Sequence, residues 1–359
     1  MTQAAQLAQY GANNVGLSFK NRLINGDMTI DQRNNGASVN AVGSGVFPVD
    51  RFIVGRDTSA AVMPTQRSTT STSGFVNSLQ VTISTSATPA AGDDNAIFHR
   101  IEGFNVADLG WGTANAQAVT ISFWVRSSVT GTYGLSFANS AANRCFVSSY
   151  TVNSANTFEY KTVTIPGDTS GTWLTDNGIG LRINWDLGCG SSRSGSVTNA
   201  WGSTFVVGLT GGVKLIQNSG ATFFITGVQL EKGTVATSFD YLPYGTELAL
   251  CQRYYEVSGF FAVSGSSAIA GGAGNANNRA FAFAGNDFKV TKRVVPTMTF
   301  QSGQTGTAGR ISGYSSGTEY TINDPNGTTI TRAFMYLQTT TSMSSFEPQL
   351  YFWQASAEL

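Results

Sequence analysis

The sequence predicts an all-β protein, in which an antiparallel jelly-roll β-sandwich is followed by a small C-terminal β-rich domain. In several separate segments, apolar and polar residues alternate with a period of two, as in strands with one buried face. Turn-forming clusters rich in Gly, Asp and Ser lie between these segments. No helical periodicity intervenes, so the strands are expected to pair with one another in two stacked sheets.

The clearest strands lie at 79–84, 121–126 and 181–187, where every second residue is apolar. In the last of these, Trp185 shares the apolar face and is predicted to lie in the core. A further strand is expected at 223–233, interrupted at Gly227. These segments lie within one block, which we predict to form the sandwich.

The sequence divides into three parts. Residues 1–20 are predicted to be an N-terminal attachment arm, residues 21–245 the jelly roll, and residues 246–359 the C-terminal β-rich domain. The opening ten residues are rich in Ala, Gln and Leu and resemble a short helix, which is too short to be stable alone. A disordered tail is the alternative to an arm that docks onto a partner.

The C-terminal domain is expected to begin with a short helix. Thr246 is the predicted cap, and Leu248, Cys251 and Tyr255 are expected to share its apolar stripe. Farther along, the Asp-Pro-Asn-Gly sequence at 324–327 predicts a β-hairpin between its flanking strands. The final segment is apolar on both faces, which indicates a strand at the centre of a fold or at a subunit interface.

Composition excludes several functional classes. Only 12% of residues are charged, the 21 basic and 21 acidic residues balance, and Ser and Thr together number 80 of 359. This balance gives no electrostatic attraction for nucleic acid, so no nucleic-acid partner is expected. No apolar run is long enough to span a membrane and no secretory signal opens the chain, so neither membrane insertion nor export is expected.

Cysteine and histidine usage argues against an enzyme and against a metal site. The three cysteines, Cys145, Cys189 and Cys251, form no metal or redox motif and are expected to be free thiols made in a reducing cytoplasm. The single histidine, His99, lacks the surroundings of a catalytic triad and is expected to be structural. We therefore predict no catalytic residue, no metal and no cofactor. Two alternatives stay open: a calcium-binding loop at 92–95, and a polysaccharide depolymerase that uses a pair of carboxylates.

Sugar binding is the leading candidate chemistry, because aromatic rings stack on the flat faces of sugars and polar side chains bond their hydroxyls. Trp124 and Arg126 share the polar face of a predicted strand and should point outward. Trp111 and Trp173 lie in or beside loops. These four residues form the predicted carbohydrate-binding set. The alternative is that the tryptophans only close the sandwich or pack at subunit contacts.

Several strings, in order, resemble a group of bacteriophage virion proteins. The match begins with FKNRLINGDMTIDQRNNG at 19–36 and VDRF at 49–52, and continues with RIEGFNVADLGWGTA at 100–114. Its most specific part lies within 225–256, where QLEKG, ATSFD and ELALCQRYY follow one another. Members of this group are tail fibres, tail spikes or head fibres of phages and phage-like particles.

The resemblance implies a carbohydrate-binding-module-like jelly roll with a small C-terminal β domain, and no defined catalytic residues. It also implies a virion-surface protein assembled in the host cytoplasm that attaches to other virion proteins through its N-terminal arm. We expect it to bind host surface glycan as a homo-oligomer, most simply a trimer, because symmetry multiplies weak sugar sites. The alternatives are a capsid decoration or collar protein with a purely structural role and, second, the depolymerase.

Overall fold

The computed structural model describes most of the chain. Of the predicted N-terminal arm, only Lys20 is among the described residues. The turn predicted at 324–327 also lies outside them. The described residues are 20–43, 45–258, 269–271, 281–313, 317–321, 329–330, 332, 334–338 and 349–359.

Two six-stranded antiparallel sheets form a jelly-roll sandwich, as predicted. We call the first of them sheet A and the second sheet B, and number strands in chain order. Across sheet A the strands are β1 (Val39–Asn40), β4 (Pro64–Ser68), β5 (Ser78–Thr82), β14 (Thr222–Lys232), β7 (Val119–Ser127) and β10 (Glu159–Ile165). Across sheet B they are β2 (Val46–Val49), β3 (Phe52–Arg56), β6 (Asn95–Glu102), β11 (Ile179–Asp186), β8 (Gly131–Ala138) and β9 (Cys145–Val152).

The main core lies between the two sheets, and the alternation of the sequence identifies its residues correctly. Leu79, Ile121, Phe123 and Ile183 are fully buried there. Trp185, predicted to be a core residue, is also fully buried and lies against Phe123. Burying a large apolar side chain of this kind contributes about 1.5–3 kcal/mol to folding stability, so these inward-facing side chains hold the two sheets together.

Short elements connect the strands, and the one that contains Leu209 packs on the outer face of sheet B against Ala138 and Val147. One is a parallel two-stranded ribbon, and the others are single turns of 3-10 helix. They are β12 (Ser194–Gly195) with β13 (Gly208–Leu209), and the turns Gly103–Asn105, Ala107–Leu109, Ser191–Arg193 and Leu215–Gln217.

The C-terminal part is a small β-rich unit, also as predicted. Its larger sheet is organised around β23 (Gln349–Ser356), in which Phe352 and Trp353 are both buried although they point to opposite faces. The last strand is therefore central, which explains why its sequence is apolar on both sides. This sheet also contains β15 (Tyr255–Val257), β16 (Ile269–Gly271), β18 (Thr297–Ser302), β19 (Arg310–Gly313) and β20 (Glu319–Thr321), and a smaller one contains β17 (Phe281–Asp287), β21 (Thr329–Ile330) and β22 (Phe334–Gln338).

Two local predictions in this part are wrong. The helix α1 (Tyr244–Gln252) begins before Thr246, because Pro243 takes the capping position and its carbonyl accepts the backbone N–H of Thr246. Because the helix ends at Gln252, Tyr255 lies in strand β15 and not on the predicted stripe. The hairpin predicted around 324–327 lies outside the described residues. Among the residues that are described, β20 pairs with β19 and β21 pairs with β22.

The two units are joined by buried polar contacts. Glu358, near the end of the chain, forms ion pairs with Arg33 and Arg51 of the sandwich. The Arg33 guanidinium lies 3.5 Å from the centre of the Tyr255 ring, which adds a cation–π contact across the junction. The junction is therefore specific rather than a loose linker.

All three cysteines are buried free thiols, in agreement with the prediction. Burial raises the pKa of the Cys145 thiol to about 11, so this thiol is unreactive. In the described part of the chain, no helix is both long enough and apolar enough to cross a lipid bilayer.

Candidate functional site

The outer face of sheet A carries an aromatic pair, in which Tyr160 is exposed and Trp124 is half-buried. Trp124 on β7 lies directly opposite Tyr160 on β10, with ring centroids 5.3 Å apart. Trp124 points outward because its neighbours in sequence, Phe123 and Val125, face the core. Tyr160 is 44% exposed, so the pair offers its rings to solvent.

Arg126 is on the same face, one step farther along β7, as predicted. Its Nε donates to the carbonyl of Asn156 at 2.8 Å, and its guanidinium lies 4.8 Å from the centre of the Phe224 ring. These contacts fix Arg126 against the sheet. It does not line the groove formed beside Trp124.

A break in strand β14 shapes the floor of that groove. The register of β14 against β7 shifts between Thr226 and Gln229, and Gly227 adopts a positive φ of 59°. The Phe75 ring covers Gly227 so closely that an added Cβ would lie 2.6 Å from its Cζ atom. Only glycine fits both the backbone conformation and this approach. The interruption predicted at Gly227 is thus a β-bulge that admits an aromatic ring.

The wall of the groove is a loop that the sheet holds by side-chain hydrogen bonds. Gln229, buried on β14, donates to the carbonyl of Ser238 and accepts the N–H of Asp240. Two residues on, Glu231 accepts the N–H and the hydroxyl of Thr237. The QLEKG and ATSFD strings therefore form one structural unit, in which strand residues hold the loop over the sheet.

This loop also contributes two aromatic rings to the groove. Phe239 packs against Phe75 with centroids 5.1 Å apart, and Tyr241 packs against Phe239 at 4.8 Å. The Tyr241 hydroxyl donates to the carbonyl of Gly74 at 2.6 Å. Burial, together with the nearby charge of Asp27, raises the pKa of Tyr241 above its ordinary value, so the phenol stays protonated.

Together these residues enclose a groove of about 590 Å³, which we call the aromatic groove. Its lining combines exposed rings with hydroxyl groups and contains no charged side chain. The lining residues are Phe75, Ser122, Trp124, Tyr160, Gly227, Ala236, Thr237, Ser238, Phe239 and Tyr241. Such a surface suits an uncharged ligand with flat apolar faces and hydroxyl edges.

The structure does not bring the four predicted sugar-binding residues together. Trp111 and Trp173 lie instead in a separate cluster with Trp201, with centroid distances of 4.7 to 5.3 Å. Trp111 is only 8% exposed and its N–H donates to the carbonyl of Gln117. With no free ring face, it packs in the core and cannot serve as a stacking platform.

Trp173 also contacts an ion pair whose aspartate is buried. The indole N–H of Trp173 lies 3.3 Å from Asp168, whose carboxylate binds Arg144 through two bonds of 2.7 Å. The alternative raised for the tryptophans, packing, therefore describes Trp111 and Trp173 better than ligand stacking does.

Sequence analysis missed four aromatic residues of the groove: Phe75, Tyr160, Phe239 and Tyr241. Tyr160 carried a signal, because it alternates with Val163 and Ile165 in a strand whose apolar residues face inward. The others had none, since they come from loops that only the tertiary fold brings to β7.

Two other predicted features have structural roles. His99 is buried, contacts the Ile24 carbonyl through Nε2 at 3.3 Å, and has a pKa well below its ordinary value because of burial and the charge of Arg51. In the 92–95 loop, Asp93 accepts hydrogen bonds from Thr58 and the N–H of Ala90, as a turn-forming aspartate does. In the described part of the chain, no three potential metal ligands cluster.

No known protein family model matches this chain, and no curated protein matches it in sequence. Its structure is similar to several solved structures. One is the enzymatically active domain of tailspike protein 4 from bacteriophage CBA120, at 13% identity and a TM-score of 0.28. The match covers 57% of this chain and 22% of the tailspike chain, so the protein spans about a fifth of that chain's length.

Two further similar structures come from bacteria. A protein from Bacteroides thetaiotaomicron, described as a sugar-binding protein, matches at 11% identity and a TM-score of 0.36, over 59% of this chain and 99% of its own. A family 11 carbohydrate-binding module from Clostridium thermocellum, solved with a mixed-linked tetrasaccharide, matches at 15% identity and a TM-score of 0.28, over 56% and 98%. With TM-scores below 0.5, these likenesses carry no function over to this chain.

Proposed function

We propose that this protein is a glycan-binding virion appendage, a short tail fibre, spike or head fibre, that holds neutral host polysaccharide in the aromatic groove. The observation that carries glycan binding is the groove itself, in which Trp124 and Tyr160 face solvent beside hydroxyl side chains and no charge. The virion role rests on the sequence resemblance centred on 225–256. The protein acts by binding, without catalysis.

The physical basis of recognition is stacking. A sugar ring has C–H groups on one face, which pack on an aromatic ring, and hydroxyls at its edge, which bond to groups such as Ser122 and Thr237. Exposed stacking of this type gives about millimolar affinity for each site. Three sites on a trimer raise the effective affinity for a cell surface, because the second and third contacts become intramolecular.

The experiment is a binding measurement on folded oligomer with an array of host polysaccharides, followed by calorimetry on any hit. Tyr160→Ala should weaken binding at least about fivefold, and Trp124→Ala about tenfold or more, because each removes a stacking face. Tyr244→Ala is the matched control, since Tyr244 is 63% exposed but does not line the groove.

Absence of binding by a folded oligomer to every neutral polysaccharide tested would overturn the glycan proposal. Equal loss of polysaccharide binding in Tyr160→Ala and Tyr244→Ala would overturn it as well. Thermal unfolding of each variant shows whether the fold is intact.

A second candidate function, capsid decoration, is favoured by the apolar residues exposed near the groove. Val76 is 76% exposed and Val235 is 72% exposed, which suits contact with another virion protein. In that case Trp124→Ala would block incorporation into particles and leave the adsorption of assembled particles unchanged.

A further inference from the structure

The outer face of sheet B carries two arginines directly opposite each other. Arg100 on β6 and Arg182 on β11 are register partners, and like charges in this position are destabilising. Neither forms an ion pair with an aspartate or glutamate in the described part of the chain, although this protein pairs several of its other arginines. The arrangement therefore places two like charges next to each other in the sheet.

The donors of this pair are only partly used. Arg182 donates through Nη2 to the carbonyl of Ser140 at 2.9 Å, while its buried Nε has no hydrogen-bond partner among the described residues. Arg100 donates through Nη1 to the carbonyl of Leu359. Burial lowers the pKa of Arg100, and the charges of Arg182 and Arg51 lower it further, against the opposing charge of Glu358.

The two arginines line a cleft of about 190 Å³, which we call the arginine cleft. Phe98 and Asn184, also opposite each other on β6 and β11, form its floor. Phe205 also lines it. Its volume equals that of about six water molecules, which is close to the size of one sugar ring.

Two carboxylates, of Asp57 and Asp94, also line the cleft. Asp57 accepts the N–H of Asp94 at 3.0 Å, which holds the two side by side. The buried Oδ1 of Asp94 has no hydrogen-bond partner among the described residues, although Arg193 Nε lies 3.5 Å away. Burial raises the pKa of Asp94 to about 6, against the pull of Arg193 and with the help of Asp57. The cleft thus offers both paired cationic donors and anionic acceptors.

We propose that the arginine cleft binds a hexuronic acid, with its carboxylate on Arg100 and Arg182. Guanidinium groups present planar donor pairs that match a carboxylate, and both arginines line the cleft. Asp57 and Asp94 accept from the sugar hydroxyls, and Phe98 and Phe205 contact the ring. The ligand is either a free acid or a residue of an acidic polysaccharide.

This site is independent of the aromatic groove, since it lies on the other sheet and requires a charge. Its occupant differs accordingly, with a carboxylate here and a neutral sugar there. The protein then distinguishes two kinds of residue on a host surface. Failure of one site leaves the other unaffected.

The test is calorimetric titration of the full chain with D-glucuronate and D-galacturonate, and with D-glucose and D-galactose as neutral counterparts. We expect about millimolar binding of at least one uronate and at least tenfold weaker binding of its neutral counterpart. Uronate binding should weaken as salt is added. A titration with oligogalacturonate separates the two sources, because a gain over the free acid identifies a polysaccharide ligand.

Arg182→Gln should weaken uronate binding at least about tenfold, and Arg182→Lys less, because lysine keeps the charge but not the planar donors. The fold should survive, since Arg182→Gln removes the repulsion of Arg100. Arg126→Gln, on the opposite sheet, is the matched control, and Trp124→Ala should leave uronate binding unchanged. No preference for uronates by the folded protein, unchanged binding by Arg182→Gln, or equally tight binding of inorganic phosphate would overturn the proposal.

Discussion

Arg253, just after helix α1, binds Glu102 at the end of β6 through two hydrogen bonds of 2.9 and 2.5 Å. The Glu102 side chain is 2% exposed, and the Tyr254 hydroxyl donates to it as well, at 2.6 Å. Burial alone would raise the pKa of Glu102, but these donors outweigh it and lower the pKa. Two sequence strings far apart, RIEG and CQRYY, therefore meet at one buried carboxylate that joins the C-terminal unit to the sandwich.

Arg253→Met should destabilise the protein by about 3 kcal/mol near neutral pH, because it leaves the buried Glu102 without its cation. The difference in unfolding free energy between wild type and variant should narrow as the pH falls through the ordinary titration range of glutamate, because the Glu102 carboxyl then becomes neutral. Urea denaturation at several pH values measures both effects. The double variant Glu102→Gln with Arg253→Met should be more stable than Arg253→Met alone, and a less stable double variant would contradict this account.

Glu247→Gln should stabilise the protein above about pH 7. Burial raises the pKa of Glu247 to about 7, with the charges of Asp27 and Asp240 adding to the effect. A raised pKa stabilises the fold below the unfolded value near 4.5, and that contribution is lost as the pH rises through about 7. The glutamine cannot ionise, so the two proteins should be similar near pH 4.5 and differ by up to about 2–3 kcal/mol near pH 8.

The control for Glu247 is Glu159, whose pKa is shifted in the opposite direction. Burial raises the pKa of Glu159, but hydrogen bonds from Lys161, Ser154 and Asn153 outweigh it and lower the pKa to about 2. Glu159→Gln should therefore reduce stability near neutral pH, and its deficit should disappear in acid. Thermal unfolding across the pH range tests both variants, and parallel curves for Glu247→Gln and wild type would refute the assignment.

Trp173→Ala should reduce stability by about 2–4 kcal/mol and leave polysaccharide binding unchanged. The side chain packs against Trp111 and Trp201, so its removal leaves a cavity beside these rings. Denaturation and calorimetry on the same samples separate the two effects. A loss of affinity at unchanged stability would instead place Trp173 in a binding site.

Gln229→Ala should loosen the wall of the aromatic groove, because it leaves the Ser238 carbonyl and the Asp240 N–H without partners. We expect faster amide hydrogen exchange at 236–241, a loss of about 1–2 kcal/mol, and several-fold weaker polysaccharide binding. Gln80→Ala is the control, since the Gln80 side chain donates only to the hydroxyl of Thr82 among the described residues. Equal exchange rates in both variants would contradict the proposed role of Gln229.

Sequence by itself determined the fold class and much of the core, because apolar and polar residues must alternate along a strand that has one buried face. That rule placed Trp185 inside and Trp124 outside, and both are confirmed. It also located the interruption at Gly227, since glycine in a strand signals a bulge or a close approach. The contacts within 225–256 are also close in sequence, because Gln229 and Glu231 hold a loop that follows soon after them in the chain.

Only the tertiary structure decided which aromatic residues share a site. Trp111 and Trp173 are loop residues whose rings turn toward the core, whereas Phe75 and Tyr241 are loop residues that assemble beside Trp124. Nothing in a local pattern distinguishes these cases, because the direction of a loop side chain depends on the elements it packs against. The meeting of Arg100 with Arg182 depends likewise on strand register, which is set by pairing across the sheet and not by either segment alone.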